Sequence, residues 1–438
     1  MNSFNAPFRY FVLLVLLLSI LMPIPGCRPA SKRIRVRFWH AMGGEAQKTL
    51  KEMVARFEKE NPGIKVELVG MGNYDALAQK LLGAVATQSP PTIAQMYENW
   101  TTQLYAAGEL EFLEDYVYGP EGLSPEELAD IYPRLLENNR WDGRILTLPF
   151  NKSVPVYYYN VEMLKEAGYD SFPKTWSDFR TMCKRVVRRT QSGEIETWAT
   201  ANGTDIWIFG SMLFQGGGRF LAEEDGEPEF ASPIGVEVLS FQVDLILKDS
   251  VQTTASGRNP MDEFLLGKIA SLTGSSTWRA PIYGQERFKV GMAPIPVAGN
   301  PAAIIYGTNI GMFRKATKEE KEAAWRFIKW FISPERQVEW SLGTWYVPIY
   351  RRCLNDPRLQ RRFEETPGLF AAYKQMEYGV FEPRGLKWLA GRKALVEELE
   401  AATLGYKTPK QALQDAADRY RRQPLPVFGY STRSKIKP

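Results

Sequence analysis

Apolar and polar residues alternate near the start of the folded chain. Ile34, Val36 and Phe38 interleave with Arg33, Arg35 and Arg37, the two-residue period of a strand. From Glu45 to Glu60 the spacing changes, and Ala46, Leu50, Met53, Val54 and Phe57 fall on one helical face. Asn61-Pro62-Gly63 ends this helix, because proline removes a backbone donor and glycine turns freely. Ile64, Val66 and Leu68 then alternate again. A strand–helix–strand series of this kind is most simply a right-handed crossover in a parallel sheet. Thr92 to Tyr97 predicts a further strand after Pro90-Pro91. Ile269 to Thr273 reads as a buried strand running into Gly274-Ser275-Ser276-Thr277, and Ala302 to Gly307 as an apolar strand ending in glycine.

The helical signals are equally local. Thr175 opens a helix with Asp178 three residues on, a start resembling a capping box. Lys318–Phe331 and Pro334–Leu342 read as two helices. The stretch Ala390–Arg422 reads as helix interrupted at Gly405 and restarted by Thr408-Pro409, where proline is tolerated. Between the two halves, Pro149-Phe150-Asn151-Lys152-Ser153-Val154-Pro155 leads into three tyrosines. This proline-stiffened run suits a connection between lobes. The fold class predicted is α/β.

Composition narrows the setting. Tyr10–Met22 is almost continuously apolar, with Arg9 the only charge before it, and this run is too short for a stable transmembrane helix. Gly26 directly before Cys27 resembles a bacterial lipobox, in which the cysteine is acylated, although Pro25 is atypical. An ordinary secretory signal or an uncleaved anchor are the alternatives; all three put the remainder outside the cytoplasmic membrane. That remainder is long enough for two lobes. Hydrophobic content of 44% and charge of 24% suit a globular protein. A net charge of +5, with basic and acidic residues interspersed, argues against a nucleic-acid surface.

Cys183 and Cys353 form no disulfide framework and read as buried thiols. His40 is the single histidine, so a Ser–His–Asp triad or a multi-histidine metal site would depend on it alone. It reads as a packing residue at a strand end. No cofactor, metal or catalytic residue is expected.

Polar and aromatic groups recur where strand ends should meet a crevice: Gly72-Asn73-Tyr74, Tyr97-Glu98, Asn151-Lys152-Ser153, Gly274-Ser275-Ser276-Thr277 and Gly307-Thr308-Asn309. Such loops let backbone N–H groups approach an anion or polyol closely. These residues also carry a resemblance. Phe38-Trp39-His40-Ala41-Met42, Gln95-Met96-Tyr97-Glu98, Pro149-Phe150-Asn151, Tyr158-Tyr159-Asn160, Lys174-Thr175-Trp176, Pro348-Ile349, Gly385-Leu386 and Lys407-Thr408-Pro409 continue it in order along nearly the whole chain. The sequence resembles the family 1 extracellular solute-binding proteins of bacterial ABC importers, in particular their sn-glycerol-3-phosphate-binding branch.

The resemblance implies two α/β lobes joined by hinge segments and closing over one solute. It divides the chain into a signal peptide (1–26), a lipid-anchored linker (27–33), an N-terminal lobe (34–150 with 305–331) and a C-terminal lobe (151–304 with 332–438). It implies ligand roles for Tyr74, Glu98, Ser153, Ser276, Gly307 and Tyr346, with Trp207 covering an apolar face and Lys387 standing where the family has an arginine for the phosphate. Lysine keeps the charge but loses the bidentate fork. Trp278, Trp345 and Trp388 read either as core residues or as cleft surfaces for a larger ligand.

The expected function is capture of sn-glycerol 3-phosphate or a glycerophosphodiester by a monomeric lipoprotein that hands it to an importer permease. The alternative is a neutral-oligosaccharide receptor. A glycoside hydrolase built on Glu98 lacks a second paired carboxylate.

Overall fold

Strand Ile34–His40 lies parallel to Ile64–Gly70, Ile34 opposite Ile64 and His40 opposite Gly70. Val36, Phe38 and His40 are buried on one face of it. Helix Gly44–Glu60 covers that face with Leu50, Met53, Val54 and Phe57, the positions its 3.6-residue period marks. Phe327, from helix Lys318–Ile332, packs against both Phe38 and Phe57. The computed structural model describes residues 33–424 apart from 202–205, 255–258, 279–281, 283 and 285. Cys27, the signal peptide and nearly all of the linker therefore lie outside the described residues.

The chain builds two six-stranded sheets. In the first, Ile93–Met96 extends the parallel set, and Tyr306–Phe313 runs antiparallel to it and to Thr147–Ser153. In the second, Ile195–Ala201, Ile269–Ser275, Pro155–Asn160 and Val290–Pro294 are neighbours, with Gln252–Thr253 at the edge. Thr147–Ser153 belongs to the first sheet and Pro155–Asn160 to the second, so Val154 carries the chain from one lobe to the other. Ala303–Ile304 pairs with Gly379–Val380 and packs on helix Ile206–Gln215 of the second lobe. Ile305 then returns the chain to the first sheet. Apolar residues of both lobes, including Phe150, Val154, Val156 and Tyr158, merge in one core across these crossings.

Helices cap at Thr175 and Thr408, where the sequence marks a start, and also at Thr317. Thr175 accepts from Asp178 N, Thr408 from Gln411 N, and Thr317 forms a full capping box with Glu320. Gly405, at φ +80°, separates helices Trp388–Thr403 and Pro409–Arg421. Cys183 and Cys353 are buried and unbonded.

Two expectations change. Gly307 does not end a strand; it lies inside Tyr306–Phe313. At φ +101° its backbone is so close to Asn151 that an added Cβ would sit 1.7 Å from the Asn151 carbonyl oxygen. The glycine is there for close strand approach rather than termination. The 331/332 lobe boundary also moves. Helix Pro334–Thr344 packs on Gly44–Glu60 of the first lobe, with Gly343 against Thr49. The chain re-enters the second lobe further on, where Leu369–Tyr373 packs on Val290–Pro294. Periodicity reveals a helix but not which lobe it faces.

Candidate functional site

The carboxyl ends of the first sheet's parallel strands feed directly into helices. Asn73 caps helix Tyr74–Ala86, its side chain accepting from Ala76 N at 2.8 Å. Tyr97 precedes helix Glu98–Ala106. From the second lobe, helix Trp388–Thr403 presents Trp388, Leu389 and Arg392 from its first turns. These helix starts converge on one cavity of about 360 Å³ between the lobes. Asp75, Trp207, Tyr306, Gly307 and Phe381–Pro383 also line it. Unpaired backbone N–H groups and aligned peptide dipoles make such a meeting point favourable for an anion.

Glu98 sits in a network of donors. Its Oε1 accepts from Asn138 Nδ2 at 2.6 Å, Asn309 Nδ2 at 3.0 Å and Lys152 Nζ at 3.1 Å. The Lys152 side chain is wholly buried, and that of Glu98 is 14% exposed. Burial pulls the ammonium pKa down, while the Glu98 carboxylate opposes that shift. Lys152 is thus the fixed countercharge that lets a carboxylate sit in the cleft. Among the described residues none donates to Glu98 Oε2, which leaves acceptor capacity for a solute.

Beside it, Tyr74 and Tyr97 meet edge to face at 5.1 Å, and Tyr97 meets Trp100 likewise at 5.3 Å. Asn151 Nδ2 donates to the Tyr74 hydroxyl at 3.3 Å. Burial raises the pKa of both phenols, so they remain neutral and able to donate.

Opposite lies Arg392. Its guanidinium stands 5.1 Å from the Trp207 ring centre and pairs with Glu382 at 2.8 Å. Trp388 Nε1 donates to the same carboxylate oxygen at 2.9 Å. Arg392 went unnoticed in the sequence, yet it stands four residues after Trp388, the spacing that places two side chains on one helical face.

Of the residues expected at the site, Tyr74, Glu98, Trp207 and Gly307 line the cavity. Tyr346 does not; it lies below Tyr74, stacked on Trp340 at 5.7 Å. Ser153 and Ser276 are buried at the first crossing. Ser275 Oγ donates to Ser153 Oγ at 2.9 Å, and Ser276 Oγ accepts from Val154 N at 3.4 Å. Lys387 precedes the helix that carries Arg392 and does not line the cavity; its backbone N–H donates to Asp225 at 2.7 Å. Trp345 is core, Trp388 is buried with an edge on the cavity, and Trp278 covers Gly274.

Residues 52–369 match the family profile described as bacterial extracellular solute-binding protein. The sn-glycerol-3-phosphate-binding periplasmic protein UgpB of Escherichia coli K12 is 28% identical over 417 residues, covering 91% of this chain and 94% of that protein. Its Shigella flexneri counterpart matches equally, at 28%. Among solved structures, UgpB from Mycobacterium tuberculosis in complex with glycerophosphocholine superposes with TM-score 0.78 at 23% identity, covering 88% of this chain and 97% of that one. The cyclic alpha-maltosyl-1,6-maltose binding protein from Arthrobacter globiformis gives TM-score 0.76 at 24% identity, covering 89% and 98%.

Proposed function

The chain belongs to the bacterial extracellular solute-binding proteins, and we propose that it captures sn-glycerol 3-phosphate or a glycerophosphodiester in the interlobe cavity for delivery to an ABC importer. One observation carries this reading. The cavity has an acceptor pole at Glu98 on the first lobe and, on the second, a donor pole where Arg392, paired with Glu382, meets the start of helix Trp388–Thr403. A glycerol phosphate has the matching polarity, hydroxyl donors at one end and an anion at the other.

In this reading Glu98 Oε2 accepts from the glycerol hydroxyls. Arg392 and the N–H groups of the first turns hold the phosphate. Tyr74 donates a further hydrogen bond, Trp207 covers the apolar edge, and Gly307 lets the crossing strand approach closely. Lys387 raises the local positive potential from outside the lining, and Tyr346, Ser153 and Ser276 support the floor. The solute touches both lobes, so it binds the closed arrangement better and shifts the population toward it. No bond is made or broken. Acylation of Cys27 would tether a monomer at the membrane surface beside its permease.

Calorimetric titration of the soluble part with glycerol 3-phosphate and glycerophosphocholine tests the reading. Binding of either is expected, with Glu98→Ala and Arg392→Ala each weakening it by about tenfold or more, as for lost charge-assisted bonds. Absence of heat with both esters at millimolar concentration would overturn it. A response to maltose-type sugars alone would replace it with the neutral-sugar alternative.

A further inference from the structure

The space between the lobes is larger than the cavity at Glu98. A second chamber of about 570 Å³ adjoins it, with Arg134, Glu137 and Asn138 of the first lobe facing Phe214, Arg219 and Leu221 of the second. Phe381, Glu382 and Pro383 line both chambers and so form the partition between them. Without that partition the open volume would more than double.

This partition is pinned along its length. On its entry side, Ile305 N donates to Val380 O at 2.9 Å. On its exit side, Arg384 N and Gly385 N donate to Glu224 at 2.8 and 2.7 Å. Leu386 N and Lys387 N donate to Asp225 at 2.8 and 2.7 Å. Backbone donors held by carboxylates are among the stronger hydrogen bonds. Glu382 is fixed by Trp388 and Arg392. The Arg384 side chain crosses to the first lobe, donating to Asn138 O at 3.1 Å and lying 4.5 Å from the Trp141 ring centre. On the cavity side, the Phe381 ring centre is 5.7 Å from Lys152 Nζ, the ammonium paired with Glu98. The wall therefore abuts the network that holds the acceptor pole.

We propose that the segment Phe381–Arg384 is a fixed wall that sets the maximum solute length, with Phe381 as the specificity-determining side chain. It confines the solute to the dimensions of a glycerophosphate or its short diesters and closes the second chamber to longer ones. This rests on the glycerophosphate reading of the cavity. A wall fastened to both lobes resists swinging aside, because displacing it breaks several charge-assisted bonds at once.

The test compares two ligands that share an anchor but differ in length. They are glycerol 3-phosphate and the deacylated cardiolipin backbone, two glycerophosphates bridged by a glycerol. The wild-type protein is expected to prefer the shorter by at least tenfold. In Phe381→Ala that ratio falls below threefold, while Phe381→Leu, which keeps an apolar contact, lies between. Equal affinity of the wild type for both ligands, or an unchanged ratio in a Phe381→Ala protein that melts cooperatively, would overturn the proposal. If the wild type binds neither, the glycerophosphate reading fails separately, and maltotriose then reads the wall. Gain of maltotriose binding in Phe381→Ala over wild type would support it, and no gain would overturn it. If Phe381→Ala does not fold, the same ratio or gain in Phe381→Leu decides.

Discussion

His40 is fully buried at the end of its strand, with its Nδ1 accepting from Met42 N at 3.2 Å. Its Nε2 has no partner among the described residues. Protonation would place an imidazolium in the core, and desolvation, aided by nearby Lys51, lowers its pKa from 6.5 to about 4. The unfolded chain therefore takes up this proton at higher pH than the fold does. The stability contributed by neutral His40 is complete above about pH 6.5 and is lost as pH falls through about 4. Its full extent is ~3 kcal/mol. Melting temperature measured from pH 7.5 to 4 should drop more steeply for the wild type than for His40→Gln; parallel curves would contradict this account. The sequence showed that His40 was solitary and near a strand end. Its titration depends on neighbours brought in by folding.

At the scale of elements, the strand Tyr306–Phe313 shows why local pattern and final role diverge. Its apolar residues and glycine were legible as a strand with a terminus. The register with Thr147–Ser153, which pairs Gly307 with Lys152, comes from residues 155 positions apart. There the glycine is the one residue whose backbone reaches φ +101° and whose missing Cβ makes room for Asn151. Gly307→Ala should destabilise the protein by about 2–4 kcal/mol and abolish solute binding, through backbone strain and a displaced crossing strand. A melting temperature within a degree of the wild type's would refute the packing argument. Helix starts fared better: Thr175 and Thr408 cap where the sequence marked a start, and they, like Asn73 and Thr317, reach a donor three residues ahead, an interaction local in sequence. The helix bearing Arg392 begins at Trp388, two residues before the Ala390 start its pattern indicated; Arg392 lay inside the expected helix, but its period does not say which face meets the cleft.

Over the whole molecule, Arg384 is a tie between lobes that does not line the solute cavity. Losing its hydrogen bond and ring contact should cost the closed arrangement about 1–2 kcal/mol. Apparent affinity falls by the fraction of molecules still competent to close. Arg384→Ala is therefore expected to weaken solute binding by about tenfold or less, with a larger radius of gyration by X-ray scattering when unliganded and a wild-type value when saturated. Arg384→Lys should recover part of the affinity. An unliganded radius equal to the wild type's, combined with unchanged affinity, would remove Arg384 from the closure equilibrium.

The sequence alone determined the α/β class, the first strand–helix–strand unit and several later strands and helices, the helix starts at Thr175 and Thr408, and the acidic and aromatic residues that stand at strand ends, because each depends on spacing within a few residues. It placed Tyr74, Glu98, Trp207 and Gly307 among the candidates that share the cavity. Tertiary structure decided that Lys152 neutralises Glu98, that Arg392 rather than Lys387 faces the cleft, that helix Pro334–Thr344 packs with the first lobe, and that Phe381–Arg384 divides the interlobe space. Those outcomes require groups from distant parts of the chain to meet. Glu98 alone accepts from Asn138, Lys152 and Asn309, and a one-dimensional period carries no record of which faces oppose each other once two sheets and three crossings have folded.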